Sequence, residues 1–529
     1  MHPVLAQHDI LSLIFGQLAD EMDEKLRHTS RTEWLALRSA ALTCRGFQEP
    51  ALDALWRTLD GSMLPLLRLI PNFRIVDGVW SLIGPVTDSM LLRYRMHASR
   101  VRKIRVLHGE RVIDPSVYMR LRRALGCAIL PSLQELCWFL DYEGPALSAL
   151  VAPSLVRVYL SREPRRVFEE CSLRSGMLHA QVVESFLYDL FETASCLRYL
   201  YLAGDVLPGV LSLTLPGTTR LESLTLRSFL LSGADPSHPL CLAYEDFLAF
   251  SRMANLVTLE IMVHKVRVPA DAGTIKLPCL RDLLLYGSSS GLYAILKLLR
   301  PTELEQLRLS VKDDESYQTY QSLFQNIAFP TLLSIDLSIR VSKLPSEDIL
   351  RHRDVLSLFS SLLRCHRLKR VNVYLVNFLS VSSDDSTLLS MAQAWPELIE
   401  LDISIQEATF IQEDPSTAPT MCGLSAFSAH CPDLQSLSIS LDPSTPFPAS
   451  DSLPVSHHTL QSLQIRRYRG CQTQDPVEVA RWIHALFPSV QRVSVIGDAA
   501  SGDVSRMVKA FQTMPTVNEQ QLRQSECPS

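Results

Sequence analysis

The feature that most constrains this chain is a short apolar pattern, Leu-x-x-Φ-x-Φ with Φ standing for Leu, Ile or Val, which returns along most of its length. It reads "SLQELCW" at Leu133, "SLVRVYL" at Leu155, "CLRYLYL" at Leu197, "RLESLTL" at Leu221, "NLVTLEI" at Leu256 and "CLRDLLL" at Leu280. It continues as "ELEQLRL" at Leu304, "TLLSIDL" at Leu332, "RLKRVNV" at Leu368, "ELIELDI" at Leu398, "DLQSLSI" at Leu434 and "TLQSLQI" at Leu460, and more weakly as "SVQRVSV" at Val490. The starts are mostly about 22 to 42 residues apart, an irregular period of the kind that stacked repeats show. The last two apolar positions are two residues apart, so they point to one side of a short strand. The first sits three before, at the turn into that strand. Between these signals lie helical patterns: "YEDFLAFSRM", "LYAILKLLR", "DVLSLFSSLLRCH" and "VEVARWIHALF". One strand with one helix cannot bury its own apolar side, so neighbouring units must stack into a continuous core.

The pattern resembles an irregular leucine-rich-repeat array. That resemblance implies an α/β fold in which residues 101–497 form a solenoid with a curved parallel sheet on its concave side. Such repeats usually carry Asn or Cys three residues after the last apolar position. Here those positions hold Asp205, Phe229, His264, Ser288, Lys312, Arg340 and Val376, so the sequence has no asparagine ladder. Residues between the apolar positions face outward on the concave side. Tyr199, Tyr201, Arg308, Arg370, Tyr374, Glu400 and Asp402 are expected there, and mixed aromatic and charged side chains suit recognition of another protein. Residues 498–529 read as a capping helix, "VSRMVKAFQTM", and a polar tail expected to be disordered.

The first sixty residues follow another rule. In "HDILSLIFGQL", Ile10, Leu11, Ile14, Phe15 and Leu18 recur at helical spacing, with Asp9 at the helix start. "ADEMDEKLRHTSRTE" reads as a solvated loop or an extra turn. A second helix is expected through "WLALRSAALTCR", ending at Gly46, and a third from Pro50 with Leu52, Leu55, Trp56 and Leu59 on one stripe. A unit this small buries only about 60% of its unfolded surface, so its apolar supply calls for a partner or for the rest of the chain. "HPVLAQHDILSLIFGQL" followed by "LRSAALTCRGFQEPALDALWRTL" resembles an F-box, in the form abundant in basidiomycete fungi. His8-Asp9 stands where the family carries Pro-Glu, and residues 20–33 form an insertion. The resemblance implies docking to the adaptor Skp1 through Leu5, Ile10, Leu11, Ile14, Phe15, Leu18, Leu42, Cys44, Phe47, Leu55 and Trp56, and through Skp1 to a cullin. It divides the chain into an F-box (1–60), a helical linker (61–100), the repeat array and the C-terminal cap. The implied role is the substrate-recognition subunit of a Skp1–cullin–F-box ubiquitin ligase, non-catalytic and without a cofactor. The alternative is a repeat scaffold or inhibitor outside any ubiquitin system.

Composition narrows the remaining choices. A net charge of −5 argues against a protein that works by gripping nucleic-acid phosphates. The cysteines are scattered singly without a CxxC pair, and Cys422-x7-His430-Cys431 is not a zinc spacing, so buried reduced thiols are expected. The opening residues lack a basic n-region and carry Asp9 within the apolar part, and no uncharged run approaches the ~20 residues of a membrane helix. The expected location is cytoplasmic, nuclear or both, with no membrane partner. GxSxG, HExxH, GxxxxGK and GxGxxG do not occur. "RHRDVL" at Arg351 contains a kinase-like His-Arg-Asp, but Phe359 stands where that site needs Asn, and the surroundings read as helix. The basic run Arg93–Val106 is either an acidic-partner or nuclear-signal patch or, as favoured here, a solvated helix entering the strand "KIRVL".

Overall fold

A computed structural model describes residues 7–24, 30–106, 113–139, 144–161, 173–203, 220–227, 241–263, 265–269, 271–313, 317–327, 329–341, 353–354, 359–376, 381–382, 384–406, 419–442, 458–467, 475–496 and 501–513. Leu5 and the polar C-terminal tail lie outside them, as do Asp205, Phe229 and His264. The chain divides into two compact units, Met1–Glu260 and Ile261–Ser529.

In the first unit the strands Thr58–Asp60, Lys103–Val106, Glu135–Phe139, Arg157–Ser161, Tyr199–Ala203 and Ser223–Arg227 pair successively and in parallel. In the second, Asp282–Gly287, Gln306–Asp313, Ser334–Val341, Arg370–Val376, Glu400–Gln406, Ser436–Leu441, Ser462–Arg467 and Arg492–Ile496 do the same. Helices between strands include Tyr244–Ser251, Ser289–Leu298 and Pro476–Leu486, as the periodicity predicts. In "DVLSLFSSLLRCH" residues 355–358 lie outside the described ones; Phe359 is helical, a short 3-10 turn follows at Leu362–Arg364, and Arg353–Asp354 pairs with Val381–Ser382 as a two-residue strand. Arg353 and Asp354 of the His-Arg-Asp string therefore stand in a strand, and His352 lies outside the described residues.

The leading residue of the pattern carries the repeat. Leu133, Leu155, Leu197, Leu221, Leu256, Leu280, Leu304, Leu332, Leu368, Leu398, Leu434, Leu460 and Val490 are each at most 2% exposed. Seven of these residues follow the motif x-Pro-x-Leu/Val, for example Trp395-Pro396-Glu397-Leu398 and Cys431-Pro432-Asp433-Leu434. The leading residue's N–H closes a turn onto the carbonyl three residues back, at 3.2 Å in both cases. Proline presets φ for the second place of such a turn. At most strand entries two backbone N–H groups then converge on one carbonyl of the preceding repeat, as when Ile399 and Glu400 donate to Lys369 at 2.8 and 3.0 Å. Val101, fully buried before Lys103–Val106, opens an earlier repeat of the same spacing with Ile104 and Val106, in which valine takes the place of the leading leucine. In the second unit the last strand is covered by the helix Ser501–Thr513, which buries Val504 and Val508 and donates from Gln512 to the Pro488 and Val490 carbonyls.

The first N-terminal helix, α1 (His8–Glu24), takes up the start of "ADEMDEKLRHTSRTE" as an extra turn, one of the two readings the sequence allows. The next two helices depart from expectation. The second, α2 (Ser30–Thr43), stops before Gly46; the joint is Cys44, whose extended backbone (φ −156°, ψ 161°) precedes α3 (Arg45–Arg57). Gly46 and Pro50 therefore lie inside α3. Pro50, in the second turn of α3, has no N–H to give the Gly46 carbonyl, so the helix forgoes one bond of its ladder there. Leu59 does not belong to the α3 stripe, because the chain passes directly into the strand Thr58–Asp60. Leu59 satisfies both the helical and the strand pattern, which is why spacing misplaces it. Residues 61–100 are also not a helical linker. They hold a short helix, Leu64–Leu67, the antiparallel hairpin Phe73–Val76/Val79–Leu82, and the helix Asp88–Ala98. The hairpin turns on Asp77 (φ 48°) and Gly78 (φ 83°), the left-handed pair that a two-residue hairpin requires.

Candidate functional site

Two kinds of surface emerge, one on the N-terminal helices and one on the outward sheet faces. The three helices close on a small core of Leu11, Phe15, Leu37, Ala51 and Ala54, with Leu18, Phe47 and Leu55 packed against it. Phe15 and Phe47 meet edge to face at 5.7 Å. Leu11 and Phe15 are thus internal. Ile14 and Leu42 are exposed, and Leu13, Trp34 and Leu35 join them on the outer sides of α1 and α2. Leu13 is 74% and Leu42 79% exposed. Sequence spacing missed Leu13, Trp34 and Leu35 because a helix apolar on two sides does not show which side its neighbours cover. Ile10 and Cys44 are half-buried.

Trp56 faces inward to the rest of the first unit. Its ring lies 4.6 Å from that of His97 on the helix Asp88–Ala98. Beside it Arg100 reaches α3, bonding to Glu49 at 2.5 Å and to Asp53 one turn later. The Arg102 N–H donates to the Arg57 carbonyl at 2.8 Å. Burial and the Arg100 charge lower the pKa of His97. The three-helix module is therefore fixed to the first repeats by a continuous backbone, an ion-pair clamp and a ring contact.

The basic run Arg93–Val106 separates into parts with different roles. Arg95 pairs with Asp88 on its own helix, Arg100 holds α3, and Lys103 and Arg105 stand on the sheet. On the first unit's sheet face, Tyr199 and Tyr201 are half-buried and do not stand alone. Arg157 lies over the Tyr199 ring at 4.9 Å and Arg227 over the Tyr201 ring at 5.7 Å, with Tyr159 6.1 Å from Tyr201. Glu135 sits among Lys103, Arg105 and Arg157 at 3.7, 3.9 and 4.0 Å, and Glu260 bonds Arg227 at 2.5 Å. Burial, reinforced by Glu135, raises the pKa of the Tyr159 phenol. These partners were not foreseen, since register alone brings them together.

The second unit's face holds Arg308, Arg370, Tyr374, Glu400 and Asp402. Arg308 and Asp336 are register partners and pair at 3.1 Å, as Arg370 and Glu400 do at 4.0 Å. Asp402 accepts from Arg466 at 2.9 Å. Tyr374 stands in register with Ser338 and Ser404. Each charge named here has an opposite neighbour, and such exposed cross-strand pairs contribute only ~0.2–1 kcal/mol each. Among the described residues no group of three or more His, Cys, Asp or Glu side chains is placed to hold a metal ion. Burial raises the pKa of Cys365 and takes that of Cys431 to about 12, so both are thiols rather than thiolates at neutral pH.

No known protein family matches the chain, and no curated protein matches it. Solved structures to which it is similar include the leucine-rich repeat domain of APL1B, at 14% identity and a TM-score of 0.29 over 81% of this chain and 88% of that one. The leucine-rich repeat-containing protein LegL7 of Legionella pneumophila aligns at 13% identity and a TM-score of 0.27, over 73% of this chain and 93% of that one. A protein of Bacteroides fragilis aligns at 12% identity and a TM-score of 0.24, over 65% and 66%. At such scores the likeness assigns nothing by itself, and the repeat architecture rests on the pairing and burial described above.

Proposed function

We propose that the chain is a non-catalytic adaptor: the N-terminal helices dock Skp1 as a variant F-box, and the outward sheet faces hold a target protein for ubiquitin transfer within a Skp1–cullin–F-box ligase. The observation that carries this reading is the apolar surface left outside on α1 and α2, in a module attached to a repeat array without a linker. Exposed apolar side chains gathered on one small module are the usual mark of a docking surface. A rigid attachment suits a mechanism in which transfer depends on proximity, since a held target gains effective concentration only if the geometry permits both contacts. On this reading the protein works in the cytoplasm, the nucleus or both. Among the described residues no helix is long and apolar enough to cross a membrane.

The test is the double substitution Leu13→Asp with Leu42→Asp, both on the surface. Capture of Skp1 by the full chain is expected to fall at least tenfold, about the effect of losing two apolar contacts, while circular dichroism and the melting midpoint stay unchanged. Undiminished capture would sink the docking reading. Leu11 and Phe15 are unsuitable for this test because they hold the module's own core. A second reading, a helical cap on a scaffold or inhibitor outside the ubiquitin system, is favoured by the inward contact of Trp56 with His97. It predicts no capture of Skp1 by the unaltered protein.

A further inference from the structure

We infer that the sheet face of the first unit is built for an acidic, extended segment of a partner protein, rich in Asp or Glu. The inference rests on the adaptor reading only in placing the target on the sheet. Four cations, Lys103, Arg105, Arg157 and Arg227, stand on this face, with the carboxylates of Glu135 and Glu260 between them. Asp60, exposed on the outermost strand, is in register with Arg105.

The groups lie at two depths. The side chains of Glu135 and Glu260 are only 13% and 12% exposed and those of Arg105 and Lys103 16% and 23%, whereas those of Arg157 and Arg227 are 46% and 37%. The carboxylates lie low with Lys103 and Arg105, and the guanidinium groups of Arg157 and Arg227 form the outer layer. A ligand approaching the centre of this face therefore meets positive charge first. The chain as a whole carries −5, so this is a local feature and not a general basic background.

The aromatic residues sharpen the fit. A guanidinium stacked on a ring keeps its N–H groups directed sideways, where they can take a carboxylate with two parallel bonds. Arg157 over Tyr199 and Arg227 over Tyr201 repeat that arrangement on strands separated by the one that carries the tyrosines. The tyrosine bodies offer apolar contact at little cost in side-chain entropy, as recognition surfaces commonly do. The second unit differs, because the carboxylates that face Arg308, Arg370 and Arg466 are 42%, 43% and 40% exposed and so stand in the outer layer with the arginines.

The experiment uses the full chain and a fluorescein-labelled oligo-glutamate peptide, with oligo-lysine and a single-stranded oligonucleotide as comparators. Oligo-glutamate is expected to bind at low salt, to weaken as salt rises, and to bind more tightly than either comparator. Arg157→Gln with Arg227→Gln, which keeps the side chains hydrogen-bonding, is expected to weaken binding about tenfold. Arg308→Gln with Arg370→Gln is expected to leave it unchanged. Absence of oligo-glutamate binding, equal loss in both double variants, or tighter binding of the oligonucleotide would each overturn the inference. Folding of every variant is checked by circular dichroism; if the Arg157/Arg227 pair unfolds, Arg157→Gln alone is read instead, with about threefold weakening expected. Because no Skp1 is present, failure here leaves the docking reading standing, and failure of Skp1 capture leaves this result intact.

Discussion

Leu398 shows at the scale of one residue why the repeat can be read. It is fully buried at a turn closed by its own N–H onto Trp395, and it leads into Leu401 and Ile403 on the inward side of a strand. Replacing it with Ala removes buried methyl groups where a hydrogen-bonded turn resists collapse. Leu398→Ala is expected to cost about 3 kcal/mol, seen as a lower urea midpoint and faster hydrogen exchange across Glu400–Gln406. An unchanged midpoint would mean that the turn position does not carry the repeat. Position alone identifies such a leucine, because every unit must bury that side chain and no alternative site exists within the unit. The charged residues between the apolar ones carry no such instruction. Nothing local to Arg157 or Tyr199 states that one lies over the other.

At the scale of the element, the decisive feature is the passage from α3 into the first strand. Sequence spacing draws α3 two residues too far because Leu55 and Leu59 fit a helix as well as Leu59 fits a strand. The hydrogen bond from Arg102 to the Arg57 carbonyl, made by a segment far along the chain, ends the helix there. Arg100 then ties Glu49 and Asp53 to the repeat, with its own side chain 12% exposed and those of its partners more than half exposed. Arg100→Ala is expected to loosen this joint by about 1 kcal/mol, since exposed carboxylates contribute modestly. Hydrogen exchange in α3 should quicken while exchange in the strands of the second unit stays the same. If α3 is unaffected, Trp56 and the backbone suffice to fix the module. The Asp-Gly hairpin at Asp77-Gly78 shows the opposite case, a turn that its two residues specify locally yet that a helical reading of 61–100 passes over.

At the scale of the whole molecule, one buried histidine, His458, and two half-buried ones, His97 and His484, give a shared response to acid. Burial lowers the pKa of His97, His458 and His484 below the ordinary 6.5. His458 is held by both ring nitrogens, one bonded to the Cys431 carbonyl at 2.7 Å and the other to the Leu460 N–H at 3.1 Å, an arrangement that requires the neutral ring. The unfolded chain therefore binds more protons than the folded one just below that pH. Their stabilising contribution is complete above 6.5 and is lost as pH falls through the lower folded-state values. The melting midpoint should fall between pH about 7.5 and about 5.5, and His458→Gln should reduce the slope. A flat profile would contradict the burial of these rings. What the sequence by itself determined is the repeat: buried leucine, turn, short strand and amphipathic helix, all set by contacts within a unit or with its nearest copy. Only the tertiary structure decided where α3 ends, which apolar sides of α1 and α2 stay in water, and which cations lie above Glu135 and Glu260. Those outcomes depend on register and on side chains that meet across tens of residues, and a linear spacing carries no record of such meetings.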